Sequence, residues 1–188
     1  MSETARNYDE ATVRSFGRQW SRFDQSKVPD EILRRMFADY FAIFPWERLP
    51  PMARGADLGC GSGRWARLAA ARVAELHCVD ASEDALAAAR RNLRGLTNVA
   101  FHRARIDALP FADGSLDFAY SLGVLHHLPD TGAALRACTR KLKAGAPFLV
   151  YLYYAFDNRP WWYRLLWRFS DGARRIVSRI PPAAQSVL

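Results

Sequence analysis

Short apolar runs alternate with segments of helical periodicity from residue 54 to residue 154. This alternation requires right-handed crossovers, so it predicts a parallel sheet with helices on both faces. Ligands of such sheets bind outside the carboxyl ends of the strands. The predicted strands are 54–58, 75–80, 99–103, 116–121 and 148–154, and the predicted helices are 63–73, 83–94 and 130–144.

Two helices are predicted ahead of the alternating region. Val13, Phe16, Trp20 and Phe23 recur at steps of three and four, which places them on one helix face. A second helix opens at Pro29 and Asp30, carries apolar residues as far as Phe44 and is stopped by Pro45, and Pro50 and Pro51 then mark a boundary.

Composition excludes several classes of protein. Of the 188 residues, 50% are hydrophobic and 24% are charged, as in globular chains. No long uncharged apolar stretch exists, so no spanning membrane segment is expected. Residues 1–30 lack the apolar region of a secretory signal, and Cys60, Cys78 and Cys138 form no CxxC pair. We therefore expect a cytoplasmic protein with reduced thiols and no metal site.

The first predicted strand ends in Asp57-Leu58-Gly59-Cys60-Gly61-Ser62-Gly63, whose alternate glycines allow positive φ and a close ligand. Asp80 follows Gly59 by 21 residues, at the end of the second strand, where a carboxylate can accept ribose hydroxyls. A dinucleotide fingerprint would have glycine at the position of Arg64, and Asp57 would repel a pyrophosphate. The loop favours an adenosine ligand with positive charge, which disfavours an NAD enzyme.

These residues resemble the class I S-adenosylmethionine-dependent methyltransferases of small-molecule type. The loop from Asp57 to Gly63 is similar to motif I of that family. Four later segments resemble its other motifs in the same order, namely 79–82, 107–111, 115–128 and 142–146. The resemblance implies an α/β, Rossmann-like three-layer sandwich with a mostly parallel sheet, strand order 3-2-1-4-5, preceded by N-terminal helices. The family's sixth and seventh strands have no counterpart, so we expect a C-terminally truncated form.

The resemblance also implies the cofactor, S-adenosylmethionine, and its site. Asp80 would accept from the ribose and Asp107 from the adenine amine. Trp20 is a further candidate, closing over the cofactor or packing on the core. His126 and His127, at the mouth of the site, are candidates for a catalytic or a structural role. The residues implied for cofactor binding are Asp57, Gly59, Cys60, Gly61, Gly63, Asp80, Ala81, Asp107, Ala108 and Ser121.

The implied organisation has three parts. Residues 1–50 form an N-terminal helical lid, 51–157 the S-adenosylmethionine-binding core, and 158–188 a basic aromatic helical segment. The expected activity is methyl transfer to a small-molecule acceptor by in-line displacement. The alternative is a non-catalytic or truncated methyltransferase-fold binding module. No nucleophile elbow or P-loop occurs in the sequence, and no nucleic-acid partner is expected.

Residues 159–188 hold six of the 27 basic residues and only one acid. They are predicted to form two helices, 160–170 and 172–180. We interpret the segment as an insert that packs against the sheet or over the acceptor pocket, because its aromatic residues run nearly all round a helix. Peripheral membrane contact through 160–180 and self-association both stay open, the second because strand 148–154 would lie at an exposed sheet edge.

Overall fold

The computed structural model describes residues 7–22, 28–153 and 160–177. Its five strands are all parallel and lie in the order β3-β2-β1-β4-β5. The predicted fold class and strand order are therefore confirmed. The strands are β1 (Arg54–Leu58), β2 (Glu75–Asp80), β3 (Val99–Arg103), β4 (Phe118–Leu122) and β5 (Phe148–Tyr151).

Helices cover both faces of the sheet. Two precede it, α1 (Glu10–Arg22) and α2 (Asp30–Tyr40). Three connect its strands, α3 (Ala66–Ala69), α4 (Glu83–Asn92) and α5 (Thr131–Lys141). One apolar cluster packs between the sheet and α2, α3 and α4, and a second packs between the other sheet face and α5.

The helix expected at 63–73 is much shorter than predicted. Only Ala66–Ala69 is α-helical, followed by a 3-10 turn at Ala70–Arg72. Gly61 and Gly63 adopt φ values of +54° and +76°, and left-handed residues cannot belong to a right-handed helix. The Gly63 amide donates to the carbonyl of Cys60 at 2.9 Å, so this segment is a turn and a long helix does not begin there.

The second predicted helix also ends early, at Tyr40 instead of Phe44. The chain turns at Phe41, and both Phe41 and Phe44 are buried in the first apolar cluster. Burial of large aromatic side chains therefore overrides the helical periodicity at this end.

Close packing explains why β1 contains glycine at position 55, although glycine weakens a strand. A Cβ on Gly55 would lie 2.2 Å from the Phe118 ring of β4, so this strand position requires glycine.

At one edge of the sheet, β5 pairs only with β4 among the strands that the structure describes. The edge position expected for this strand is confirmed, although it ends at Tyr151 and residue 154 lies outside the described residues.

Residues 153–188 form a second compact unit. Its described part contains one continuous helix, α6 (Trp161–Val177). The prediction of two helices separated near Gly172 is wrong, because a single glycine costs a helix only about 1 kcal/mol and no proline interrupts this one. Within the residues described, no helix is long and apolar enough to cross a membrane. Phe23, which the sequence places on the face of the first helix, lies outside the described ranges.

Candidate functional site

A cavity lies at the carboxyl ends of β1, β2 and β4, where parallel α/β sheets bind ligands. The segment after β1 contributes Gly59, Cys60, Ser62, Arg64 and Trp65, and the end of β2 contributes Val79, Asp80 and Ala81. Residues 104–106, 122–124, 127 and 128 extend the lining. The remaining wall comes from the N-terminal region, through Asn7, Tyr8, Asp9, Thr12, Val13, Phe16 and Trp20.

The glycine loop after β1 is tied to the end of β2 by backbone hydrogen bonds. The amides of Gly59 and Cys60 both donate to the carbonyl of Val79, at 2.8 and 3.0 Å. The amide of Gly61 donates to Oδ2 of Asp80 at 3.0 Å. These hydrogen bonds therefore hold the loop at the carboxyl end of β2 without a contribution from a ligand.

Each of the three glycines lies against a neighbouring side chain. A Cβ on Gly59 would lie 2.6 Å from a methyl carbon of Val124, and one on Gly61 would lie 2.8 Å from the Trp20 ring. A Cβ on Gly63 would lie 2.8 Å from Leu93. Gly61 and Gly63 do not line the cavity, since Trp20 and Leu93 cover them.

Asp80 faces the cavity from the end of β2. Its Oδ1 accepts from the amide of Ser82 at 2.9 Å, in addition to the bond from Gly61 at Oδ2. Burial raises the pKa of Asp80, and these amide donors oppose the rise. Each carboxylate oxygen has two lone pairs, so the side chain retains capacity to accept from a ligand.

Asp57 lies in β1 with only 2% of its surface exposed and does not line the cavity. Its Oδ2 has no hydrogen-bond partner in the part of the chain described. Burial raises the pKa of Asp57 to about 8, the negative charge of Asp80 adds to the rise, and the neighbouring Tyr120 hydroxyl opposes it. An uncompensated buried carboxyl of this kind favours a nearby cation.

Helix α1 forms the wall opposite the sheet and is anchored at its start. The Asn7 side chain donates to the carbonyl of Asp130 at 2.7 Å and accepts from its amide at 2.8 Å. Farther along, the Phe16 ring lies 4.8 Å from the ring of His127. The sequence predicts Trp20 as a site residue but not Asn7, Tyr8 or Thr12, because their place in the wall follows from long-range contacts such as that of Asn7 with Asp130 across 123 residues.

Two of the predicted adenine-binding residues lie just outside the cavity. Asp107 and Ala108 belong to the 3-10 turn Ile106–Ala108. The Arg105 guanidinium binds both oxygens of Asp107, with Nε to Oδ1 at 2.8 Å and Nη2 to Oδ2 at 3.3 Å. Arg105 itself lines the cavity and lies 5.3 Å from the centre of the Tyr8 ring.

The other candidates are divided between the lining and the interior. Ser121 is fully buried, and its hydroxyl donates to the carbonyl of Leu58 at 2.7 Å, which joins β4 to β1. His127 lines the cavity, whereas His126 does not. Burial lowers the pKa of both imidazoles, so both are neutral near pH 7.

Cys60 contributes to the lining as a neutral thiol. A hydrogen bond with Cys78, followed by burial, raises the pKa of Cys60. Within the described ranges, no group of three or more His, Cys, Asp or Glu side chains could hold a metal ion.

Comparison with known proteins places these features in context. Residues 56–150 match the methyltransferase domain family. The ubiquinone biosynthesis O-methyltransferase of Hahella chejuensis is 31% identical over 161 residues, which cover 81% of this chain and 63% of that protein.

Two solved structures share the fold. The YcgJ protein of Bacillus subtilis aligns with a TM-score of 0.54 and 28% identity, over 63% of this chain and 48% of that one. Phosphoethanolamine N-methyltransferase 1 of Haemonchus contortus, solved with phosphoethanolamine and S-adenosylhomocysteine, aligns with a TM-score of 0.60 and 16% identity. That alignment covers 71% of this chain and 30% of the other, and its low identity shows the fold alone. The chain spans less than two thirds of the length of these relatives.

Proposed function

The chain belongs to the methyltransferase domain family, of the class I S-adenosylmethionine-dependent type, and on this premise we propose that it transfers a methyl group to a small-molecule acceptor. The observation that carries the proposal is the pairing of Asp80 with the glycine loop at the mouth of the cavity. A carboxylate that can accept from a ribose thus lies beside the part of the loop, Gly59 and Cys60, that lines the cavity.

The residues present fit S-adenosylmethionine. The buried Oδ2 of Asp57, without a partner among the described residues, suits a ligand that carries positive charge. The backbone at Gly59 and Cys60 lines the cavity, where side chains larger than hydrogen at Gly59 would meet Val124. Asp80 would hold the ribose hydroxyls, with Ala81 beside it. These features suit a cation better than the pyrophosphate of a dinucleotide, because a nearby cation favours ionisation of the buried Asp57 carboxyl and a nearby anion opposes it.

We propose that the adenine ring of the cofactor binds next to the 3-10 turn that contains Asp107. Its carboxylate oxygens are already bound by Arg105, and each retains a lone pair for the exocyclic amine. Arg105 lines the cavity next to Tyr8 and so connects this turn to the N-terminal wall.

We also propose that the chain is divided into an N-terminal helical lid at 1–50, a cofactor-binding core at 51–157 and a basic aromatic segment at 158–188.

The sulfonium of the cofactor supplies an activated methyl group for in-line displacement. The chain's own contribution is then mainly positioning and exclusion of water, and positioning alone is worth roughly 7–11 kcal/mol. The aromatic wall of Phe16 and Trp20 closes one side of the cavity. His127 is neutral and lines the cavity, so its imidazole can take a proton from an acceptor that must lose one.

Calorimetry with S-adenosylmethionine, S-adenosylhomocysteine and NAD tests the cofactor assignment. We expect binding of the first two and none of NAD. Release of S-adenosylhomocysteine is then measured with a panel of hydroxyl, amine and thiol acceptors. Cofactor binding without release for any acceptor would favour the alternative, a binding module, and absence of cofactor binding would overturn the proposal.

A further inference from the structure

Helix α6 carries six large apolar side chains that are exposed to solvent. The exposed fraction is 71% for Trp161, 54% for Trp162, 48% for Leu165, 60% for Leu166, 41% for Trp167 and 72% for Phe169. At 3.6 residues per turn, all of these positions except Trp167 fall within an arc of about 140° around the helix axis. The helix therefore presents one continuous apolar face, which we call the apolar arc.

The charged positions of the helix lie outside the apolar arc, and Trp167 falls among them. By the same helical spacing, positions 164, 168, 171, 174 and 175 fall together, and the sequence has four arginines and one aspartate there. The helix thus combines an aromatic face with a face of net positive charge.

Tyr163 and Trp167 fall outside the apolar arc, so the aromatic residues of this segment extend over about 240° of the helix circumference, as the sequence predicts. The interpretation of the segment as an insert against the sheet or over the acceptor pocket stays a prediction.

We propose that α6 lies flat on an anionic membrane surface. The apolar arc would enter the boundary between headgroups and acyl chains, and the arginines would face the anionic headgroups. A basic helix with a separate Trp, Leu and Phe face has the composition of interfacial helices. Tryptophan also favours this boundary, since its ring is apolar while its N–H needs a polar partner.

Two of the five side chains in the apolar arc, Leu165 and Leu166, give nucleic-acid bases no ring to stack on. The boundary between headgroups and acyl chains accepts leucine, phenylalanine and tryptophan alike. A membrane surface therefore suits the arc better than a nucleic acid does, and light scattering tests the other occupant, a second copy of α6.

Flotation of the full chain with vesicles tests the proposal. We expect binding to phosphatidylcholine vesicles that contain phosphatidylglycerol, and much weaker binding to phosphatidylcholine alone. Phe169→Glu should reduce the affinity at least tenfold by placing a charge in the apolar arc. Ile43→Glu is the matched control, because Ile43 is 84% exposed and lies in the other unit, and it should bind like the wild type.

A second pair of variants tests the contribution of the basic residues of α6 to membrane binding. Each basic residue near an anionic surface contributes about 1 kcal/mol, so Arg168→Glu should weaken binding about fivefold or more. Arg140→Glu changes an exposed arginine of α5 by the same charge and should have little effect. Binding should also fall as the salt concentration rises to about 0.5 M.

Several results would overturn the proposal. One is recovery of the wild-type chain in the soluble fraction with anionic vesicles at low salt. Another is equal binding by Phe169→Glu, whose thermal unfolding midpoint should match that of the wild type. Light scattering without vesicles tests for self-association. If the chain binds no vesicles and forms a dimer that Phe169→Glu dissociates, the occupant of the apolar arc is a second copy of the chain.

Discussion

The backbone amide of Gly61 donates a 3.0 Å hydrogen bond to Oδ2 of Asp80, which joins the middle of the glycine loop to the end of β2. The other oxygen, Oδ1, accepts from the amide of Ser82 at 2.9 Å. Ser82 in turn caps α4, where its hydroxyl accepts from the amide of Ala85. One carboxylate therefore fixes two turns while it faces the cavity.

Asp80→Ala should weaken the binding of S-adenosylhomocysteine. The variant loses a hydrogen-bond acceptor for the ribose and releases the loop at Gly61, so we expect a loss of roughly 1.5–3 kcal/mol, or about 10–150-fold in affinity. Isothermal calorimetry measures this change. The core should stay folded, because Asp80 ends its strand and its loss opens no cavity in either apolar cluster.

Asp39→Ala provides the matched control, since it removes an exposed carboxylate from α2. It should bind the cofactor product like the wild type. Equal affinity of Asp80→Ala and Asp39→Ala would remove the ribose role from Asp80.

Gly61→Val should abolish cofactor binding. Gly61 has a φ of +54°, which β-branched residues resist, and its Cβ would lie 2.8 Å from the Trp20 ring. The valine would displace Trp20 from the wall or the loop from its bond with Asp80. Titration with S-adenosylhomocysteine, followed by Trp fluorescence, reports both effects.

Gly145→Ala separates backbone strain from the close contact. Gly145 has a φ of +77°, but a Cβ there would meet nothing within 4 Å. We expect this variant to lose some stability and to bind normally. Tight binding by Gly61→Val would show that the cofactor does not lie over this loop.

The sheet could be predicted because its strands are marked locally. Parallel strands buried on both faces appear as short apolar runs, and β2 matches its predicted bounds, Glu75–Asp80. Gly59 and Asp80, predicted from the loop motif and its spacing to the second strand, line the cavity, whereas Asp57 is buried in β1 and does not. The strand order came from the family resemblance, since periodicity does not reveal which strands are neighbours.

The N-terminal wall of the site, apart from Trp20, could not be predicted from the sequence. Asn7 meets Asp130 across 123 residues of sequence, and neither residue type predicts that contact. The prediction of a helix at 63–73 was also wrong at its N-terminal end. Its alanine-rich composition favours a helix, yet the turns at Gly61 and Gly63 take up its first residues.

Asp57→Asn should make the folded chain more stable at alkaline pH. The carboxyl has a pKa of 3.8 when unfolded and about 8 when folded, so the folded state binds the extra proton between these values. Its stabilising effect is present below pH 3.8 and is lost as the pH rises through about 8. The slope contributed is at most about 1.4 kcal/mol per pH unit. Urea unfolding from pH 4 to pH 9 should show this decline in the wild type and a flatter profile in Asp57→Asn.

Cofactor binding should be linked to the same group. A cationic ligand above the loop would lower the pKa of Asp57, so binding at pH 7 should release a proton in the wild type but not in Asp57→Asn. Calorimetry in two buffers with different ionisation enthalpies measures the released protons. Asp39→Asn, at an exposed position, should change neither the unfolding profile nor the proton count. No proton release in the wild type would contradict an electrostatic role for Asp57.

His127→Ala should lower the turnover number more than the affinity for S-adenosylhomocysteine. His127 lines the cavity with a pKa lowered by burial, and loss of a general base costs about 10²–10⁴-fold in rate. His127→Phe is the matched variant, since a phenyl ring keeps an aromatic contact with Phe16 but accepts no proton. His126→Ala should have a smaller effect, because His126 does not line the cavity. Steady-state kinetics across pH, with an acceptor found in the panel, measure all three variants. Full activity of His127→Phe would assign His127 to packing against α1, and equal losses at both histidines would exclude His127 as the specific base.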